Sequence, residues 1–303
     1  MLAEPLSGFC RNFAYCVKSP SADGILMYLC GAGRGFFSFR RVIEMGNQSL
    51  LIRELARGAV RIREYSRLES TNTLAKELAA SGEPGGLIIT AREQSGGRGR
   101  RGRSFFSPEG TGLYLSLLWR PEPMTLSADS ALFLTPAAAC AVSTALKSSF
   151  CIDTGIKWVK DILYMGKKLC GILVETGTSS GFIDYAVVGV GLNLFYPKDG
   201  FPPELSNTAA ALFEGFDCEK RDKALFSLAD SLIDWLEPLD PERILPEYIK
   251  RSVLIGRRIT VHRPGGSVPA HAVGIDKRAR LEVLYDDGSR EALDSGEVSV
   301  RLE

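Results

Sequence analysis

The sequence predicts an α+β protein in two parts: a mixed β-sheet with helices over 58–254, followed by a small β-barrel over 255–303. Three observations carry this prediction. Between 61 and 251, short β-type apolar runs are interleaved with segments of helical period. After Ile255 the texture changes to five brief alternating runs separated by Gly- and Asp-rich turns, the pattern of a small antiparallel barrel. A length of 303 residues with 45% apolar content is enough for roughly two domains with a sizeable core.

Residues 1–44 stand apart from this pattern. They hold three cysteines and Gly31-Ala32-Gly33-Arg34-Gly35 but no sustained period. They cannot supply the three periodic helices and hairpin of a DNA-binding winged helix. The expectation is a poorly ordered extension over 1–50, or a true start at Met45 that leaves 1–44 untranslated. Residues 61–67 read as a strand. Ser70-Thr71-Asn72-Thr73 precedes Leu74-Ala75-Lys76-Glu77-Leu78-Ala79-Ala80, a capped start to a helix ending near Gly82. Residues 86–92 and 112–119 are β-type runs, and 130–147 reads as a buried helix. The segments 156–164 and 168–175 read as a hairpin around a tight turn at Met165-Gly166-Lys167. A further strand spans 182–194, and helices follow at about 220–237 and 241–251. The barrel runs fall at 258–262, 270–275, 281–285, 291–293 and 298–301.

Composition removes several classes of function. Lys+Arg 37 against Asp+Glu 36 leaves a net charge of +1, which argues against broad binding to nucleic acid or a membrane surface. The seven cysteines are odd in number and form no CxxC, which fits a reducing cytosol rather than a disulfide framework. The two histidines, His262 and His271, both lie in the C-terminal part, so a His-based triad or an ordinary zinc site is not expected. No apolar run reads as long enough to span a membrane and no targeting signal is found, so a cytoplasmic location is expected.

The densest chemical signal is Gly97-Arg98-Gly99-Arg100-Arg101-Gly102-Arg103. Arginine is a permanent cation with a planar fork of donors suited to phosphate and carboxylate. Glycine lets the backbone come close to a ligand and adopt positive φ, so that successive N–H groups can cradle an anion. On a nearly neutral body, this local field points to a small anionic ligand. The loop has neither GxxxxGK[ST] nor a GxGxxG following a first strand, so it is not a Walker or dinucleotide loop. It is also short and single, unlike a repeated RGG tether.

Ser70-Thr71-Asn72, Gln94, the arginine loop and Lys157-Trp158 through Asp161 and Lys168 to Gly171-Ile172-Leu173-Val174-Glu175 come in a distinctive order. Gly189-Val190-Gly191-Leu192-Asn193 and Ser295-Gly296-Glu297-Val298-Ser299-Val300-Arg301 complete it. In that order the chain resembles, over about 60–303, the biotin protein ligases of the monofunctional type without a DNA-binding domain. The resemblance implies a biotin/lipoate ligase-like catalytic domain and an SH3-like C-terminal barrel. It also implies two steps: biotin and ATP give biotinyl-5′-AMP and pyrophosphate, then a lysine of a carrier takes the biotin. The implied carrier is the biotin carboxyl carrier protein domain of acetyl-CoA carboxylase or a related carboxylase. Mg2+ is implied mainly through the ATP phosphates, with no metal ligand set assigned. No membrane or DNA partner is implied, and a homodimer is left open.

Carried over by motif, Ser70, Thr71, Asn72 and Gln94 would surround biotin, although the first three alone also read as a plain helix cap. Arg98, Gly99 and Arg100 would line the biotin and phosphate sites, with Arg100 nearest the carboxylate and the α-phosphate. Arg103 and Phe105 would face the nucleotide. Lys168 would bridge carboxylate and α-phosphate as a compact point charge. Gly171 and Ile172 would give biotin a close backbone and an apolar wall. Asp161 would place magnesium or the amine nucleophile, and Asn193 would reach phosphate or metal. One departure is clear: many members carry an asparagine where this chain has Lys160, so no catalytic role is assigned to that position. The rival readings are a lipoate-protein ligase and a biotinyl-AMP-responsive transcriptional repressor.

Overall fold

The computed structural model describes residues 58–263 and 265–294. It also describes the backbones of β1 (Cys16–Lys18), β2 (Leu26–Leu29), β3 (Phe39–Met45) and β4 (Gln48–Leu55), and of a last strand, Glu297–Val300. The expectations for the rest of the N-terminal extension, and for Ser295 and Gly296, lie outside the described residues.

The main sheet has the order β1-β2-β3-β4-β5-β6-β7-β11-β10-β9-β8. Its central strands are β5 (Gly58–Leu68), β6 (Leu87–Gln94), β7 (Gly112–Trp119) and β11 (Phe182–Asn193). β5 and β6 are parallel, and the crossover that parallel strands require is α1 (Thr71–Ala80). The remaining pairings are antiparallel, so the sheet is mixed as expected. Both faces of β6, β7 and the middle of β11 are covered, which explains why these strands read as continuous apolar runs. Alternate residues pack to opposite sides. Ile88, Leu117 and Val188 join the large core under α2 (Leu134–Phe150) and α3 (Cys218–Leu236). Leu87, Ile89, Leu118 and Val187 pack with Ala75 and Ala79 of α1.

Two elements differ from the sequence reading. The helix expected over 130–147 begins as a 3₁₀ segment, Ala128–Phe133, and becomes α-helical only at Leu134. Pro136 then falls in the first α-turn, where its missing N–H costs nothing. Together these pieces make a helical run, Ala128–Phe150, of sufficient length and hydropathy to cross a membrane. That corrects the expectation that no run is long enough. Every residue from 136 to 143 is buried in the protein, as in the core helix of a globular fold.

The segment 156–164 is likewise two strands, β8 (Gly155–Lys157) and β9 (Asp161–Tyr164), paired across a turn at 158–160. Trp158 and Val159 look like strand residues, but the indole of Trp158 is drawn into the core. The next turn is as expected. Met165 and Gly166 have φ of 50° and 77°, the pair of positive values a two-residue hairpin favours, and they lead into β10 (Lys167–Ser179).

After α4 (Pro241–Lys250) come β12 (Arg258–Arg263), β13 (Gly266–Ile275), β14 (Leu281–Tyr285), β15 (Arg290–Leu293) and β16 (Glu297–Val300). They form an antiparallel sheet ordered β15-β14-β13-β12-β16. Its inward residues, among them Ile259, Val261, Ala272 and Val283, belong to the same apolar cluster as α2 and α3. Cys140 and Cys170 are buried free thiols and Cys151 an exposed one, with burial pushing Cys140 up to about 12. Cys218 is disulfide-bonded, an exception to the reading of the cysteines as thiols.

Candidate active site

One open cleft lies over the carboxyl ends of β5 and β6, between the start of α1, the arginine loop and the β9–β10 hairpin. Ser70, Thr71, Asn72, Gln94, Arg98, Gly99, Arg100, Arg103, Phe105, Asp161, Lys168, Gly171 and Ile172 all line it. The cleft has two chemical parts.

The first part is neutral and hydrogen-bonded. Ser70 caps α1 by accepting from Thr73 N at 3.4 Å, which turns the next two side chains inward. Thr71 and Asn72 are buried over the serine of β7: Ser116 Oγ lies 2.8 Å from Thr71 Oγ1 and 2.6 Å from Asn72 Oδ1. Gln94 Oε1 accepts from Thr71 N at 2.9 Å, and its Nε2 donates to Ser107 Oγ at 3.1 Å. Asn72 Nδ2 donates to Glu175 Oε2 at 3.0 Å, and Glu175 pairs with Lys76 at 2.6 Å. Burial raises the Glu175 pKa, but the bonds from Lys76 and Asn72 outweigh it and hold the carboxyl below the usual range. The strand facing this network must be glycine. A Cβ at Gly189 would sit 2.0 Å from Asn72 Oδ1, and one at Gly191 would sit 2.6 Å from the Phe105 ring. The apolar walls are Leu115, Ile172, Leu173 and Val190.

The second part is cationic. The arginine loop folds back on itself through Gly99 N to Arg103 O at 2.7 Å and Phe105 N to Gly97 O at 2.8 Å. That presents Arg100 and Arg103 to the cleft, while Arg98 donates to Thr73 Oγ1 at 3.3 Å. From the hairpin, Lys168 Nζ makes an ion pair with Asp161 Oδ1 at 2.7 Å, and its terminal carbon and Nζ lie against Gly171. Lys160 also lines the cleft. Burial, then Lys168, push its ammonium down to about 8; Arg100 and Arg103 add to this, and Asp161 opposes it.

Asn193 does not line the cleft. Its Nδ2 donates to Ala210 O at 3.1 Å, and residue 210 in turn donates its N–H to Lys168 O at 2.8 Å. Lys168 N donates to Thr208 O at 2.7 Å. Asn193 thus fixes the segment that holds the Lys168 backbone. The turn carrying Lys160 is held from two sides. Trp158 Nε1 donates to Ala279 O in the barrel at 3.0 Å, and Tyr248 Oη of α4 donates to Val159 O at 2.7 Å. Ser116 and Leu115 were missed by sequence reasoning, since single residues inside the wholly buried β7 leave no local mark. Among the described residues no group of three His, Cys, Asp or Glu could hold a metal ion, and Asp161 is the only carboxylate lining the cleft.

Such a cleft joins a site for a neutral polar molecule to a site for anions. Residues 65–193 match the biotin/lipoate A/B protein ligase family, and residues 254–301 match the biotin protein ligase C-terminal domain. Fold and site therefore define a biotin/lipoate ligase catalytic domain carrying a C-terminal barrel. The chain is 37% identical over 229 residues to the bifunctional ligase/repressor BirA of Bacillus spizizenii, covering 73% of this chain and 68% of that one. It is 30% identical over 240 residues to the biotin–[acetyl-CoA-carboxylase] ligase of Paracoccus denitrificans, covering 77% and 98%. The fold is shared with the biotin protein ligase from Aquifex aeolicus solved in complex with biotin and ATP, at a TM-score of 0.65 and 24% identity over 80% of this chain and 99% of that one. The chain belongs to the biotin protein ligase family.

Proposed function

We propose that this chain activates biotin with ATP as biotinyl-5′-AMP and transfers the biotin to a lysine of a biotin carboxyl carrier protein. The observation that carries this reading is the joining, in one cleft, of the neutral network on Thr71, Asn72, Gln94 and Ser116 to the cations Arg100, Arg103 and Lys168. Biotin's ureido ring has one acceptor oxygen and two N–H donors, and hydroxyl and amide groups answer both. Its carboxylate oxygen then attacks the α-phosphorus; the bond to the β-phosphate oxygen breaks and pyrophosphate leaves. Fixed cations offset the repulsion between the two anions and meet charge as it develops. Lys168, held by Asp161 and Gly171, is placed to follow the negative charge from carboxylate to phosphate. In the second step the carrier's lysine nitrogen attacks the acyl carbon, the bond to the AMP oxygen breaks, and the amine sheds a proton.

Mg2+ would arrive with the nucleotide and neutralise phosphate charge, with Asp161 as the one carboxylate available to it, which fits an ion held largely by phosphates. The carrier partner, a homodimer and a cytoplasmic location are proposed on the same family grounds. Incubation with ATP, biotin and an apo carrier domain, scored by streptavidin blot, tests the reading. Labelled carrier is expected only when all three are present; labelling with lipoate instead would favour a lipoate ligase. A gel shift on the control region of the biotin operon separates ligase from repressor, and no shift is expected.

A further inference from the structure

Lys160 lines the cleft and is half-buried, yet it makes no hydrogen bond or ion pair with a described residue. The carboxylate beside it, Asp161, is already taken by Lys168 at 2.7 Å. The charges that face it are Lys168 and Asp161 from the hairpin and Arg100 and Arg103 from the arginine loop. Three of these cations, Lys160, Lys168 and Arg100, therefore share one carboxylate. A single biotin carboxylate offsets one of the two surplus charges and leaves one. A half-buried ammonium with no partner, among like charges, is costly unless an anion arrives to share it. The polyphosphate of a nucleoside triphosphate carries enough negative charge to satisfy the remainder, and one carboxylate does not. Beside the neutral part of the cleft, the carboxylate of Glu175 is already met by Lys76.

We infer that Lys160 is a binding residue for the phosphate chain of the nucleotide. The inference rests on the ligase reading above and assigns within it a residue that the family pattern leaves unassigned. It also has a consequence for the product side: inorganic pyrophosphate, which carries the same chemistry, should bind through Lys160 as well.

The test is direct binding to the full chain, measured by calorimetry, of α,β-methylene-ATP, of pyrophosphate and of biotin. Lys160→Gln is expected to weaken α,β-methylene-ATP and pyrophosphate about tenfold, about 1.4 kcal/mol, and to leave biotin within about twofold, the split expected of a group that meets phosphate only. Lys160→Arg, which keeps the charge, should restore nucleotide binding to within about threefold. Should Lys160→Gln fail to fold, Lys160→Asn serves in its place. Unchanged nucleotide affinity in the uncharged variant overturns the inference, as does an equal loss for biotin and nucleotide. A wild-type chain that binds neither biotin nor the ATP analogue rejects the ligase reading and this inference with it. A wild-type chain that binds both and labels the carrier, beside an uncharged variant with normal nucleotide affinity, rejects the inference alone.

Discussion

Lys168 is held more tightly than its place beside a hairpin turn implies. Its N–H and C=O are both bonded to the 208–210 segment, its Nζ is paired with Asp161, and its side chain lies on Gly171. A charge fixed in this way loses little on reorganisation as the reaction proceeds, so its removal should be felt in rate more than in binding. Lys168→Ala is expected to slow adenylation about 10²–10³-fold, the scale for losing one donor aimed at developing charge. Single-turnover formation of biotinyl-AMP would show this, and a near-normal rate would remove Lys168 from the reaction. At this scale the sequence was informative wherever a polar residue interrupts an expected pattern. Ser70-Thr71-Asn72 stands at a helix start and Gln94 follows an apolar run, and the structure brings all four to the cleft. Ser116 was not visible, because a lone serine in Leu113-Tyr114-Leu115-Ser116-Leu117 carries no sign that two side chains from α1 will close over it. Asn193 was visible as a polar end to a strand, but its partner at residue 210 belongs to a segment with no period to read.

The arginine loop and the 158–160 turn are the two elements that the chemistry most depends on. Arg98, Arg100, Arg101 and Arg103 put four like charges within seven residues, and these repel until an anion arrives. Ordering the loop costs roughly 1–2 kcal/mol per residue fixed, and charge-assisted hydrogen bonds of about 1.5–3 kcal/mol each can offset it. Hydrogen exchange over residues 95–106 is therefore expected to slow when biotin and ATP are added together, and equal exchange with and without them would reject a ligand-ordered loop. The 158–160 turn works in the opposite way, being fixed in advance by buried bonds. Tyr248→Phe leaves Val159 O without its donor, at a cost of about 1–3 kcal/mol for a buried group. It is expected to lower the melting temperature modestly and to reduce kcat/KM for ATP about tenfold, since small misplacements of reacting groups are costly. A lowered melting temperature with unchanged kinetics would show the bond to be structural only. Elements with a single clean period, such as α1, β7 and β11, were legible with bounds close to those observed. The 3₁₀ segment ahead of α2 and the break at 158–160 were not, because both are set by partners distant in sequence rather than by local preference.

For the whole molecule, the balance of charge is kept by a few buried or half-buried pairs rather than by surface numbers. Glu175 ties β10 to α1 through Lys76 and Asn72. Its folded pKa is depressed, so its contribution to stability is complete above the ordinary glutamate range and is lost as pH falls through the lowered value. Glu175→Gln should therefore lower the urea midpoint at pH 7, and the difference from wild type should shrink towards zero as pH drops below about 4.3, the ordinary value. A difference that stays constant across that range would mean that packing, not charge, is what Glu175 supplies. The two-part architecture was legible from the change of texture after Ile255. The continuity of the two cores was not, because a single sequence does not show which apolar faces meet across 120 residues.

The hydrogen bond from Trp158 to Ala279 also gives the molecule a direction in time. A ribosome releases the arginine loop, the neutral pocket and the β9–β10 hairpin well before it reaches the barrel. Until Ala279 and its strand neighbours have emerged, the turn bearing Lys160 and Asp161 lacks one of its two anchors. A nascent chain can therefore possess nearly every residue that lines the cleft and still hold two of its charges loosely. The turn bearing Lys160 is therefore fully fixed only once the C-terminal sheet has folded against it.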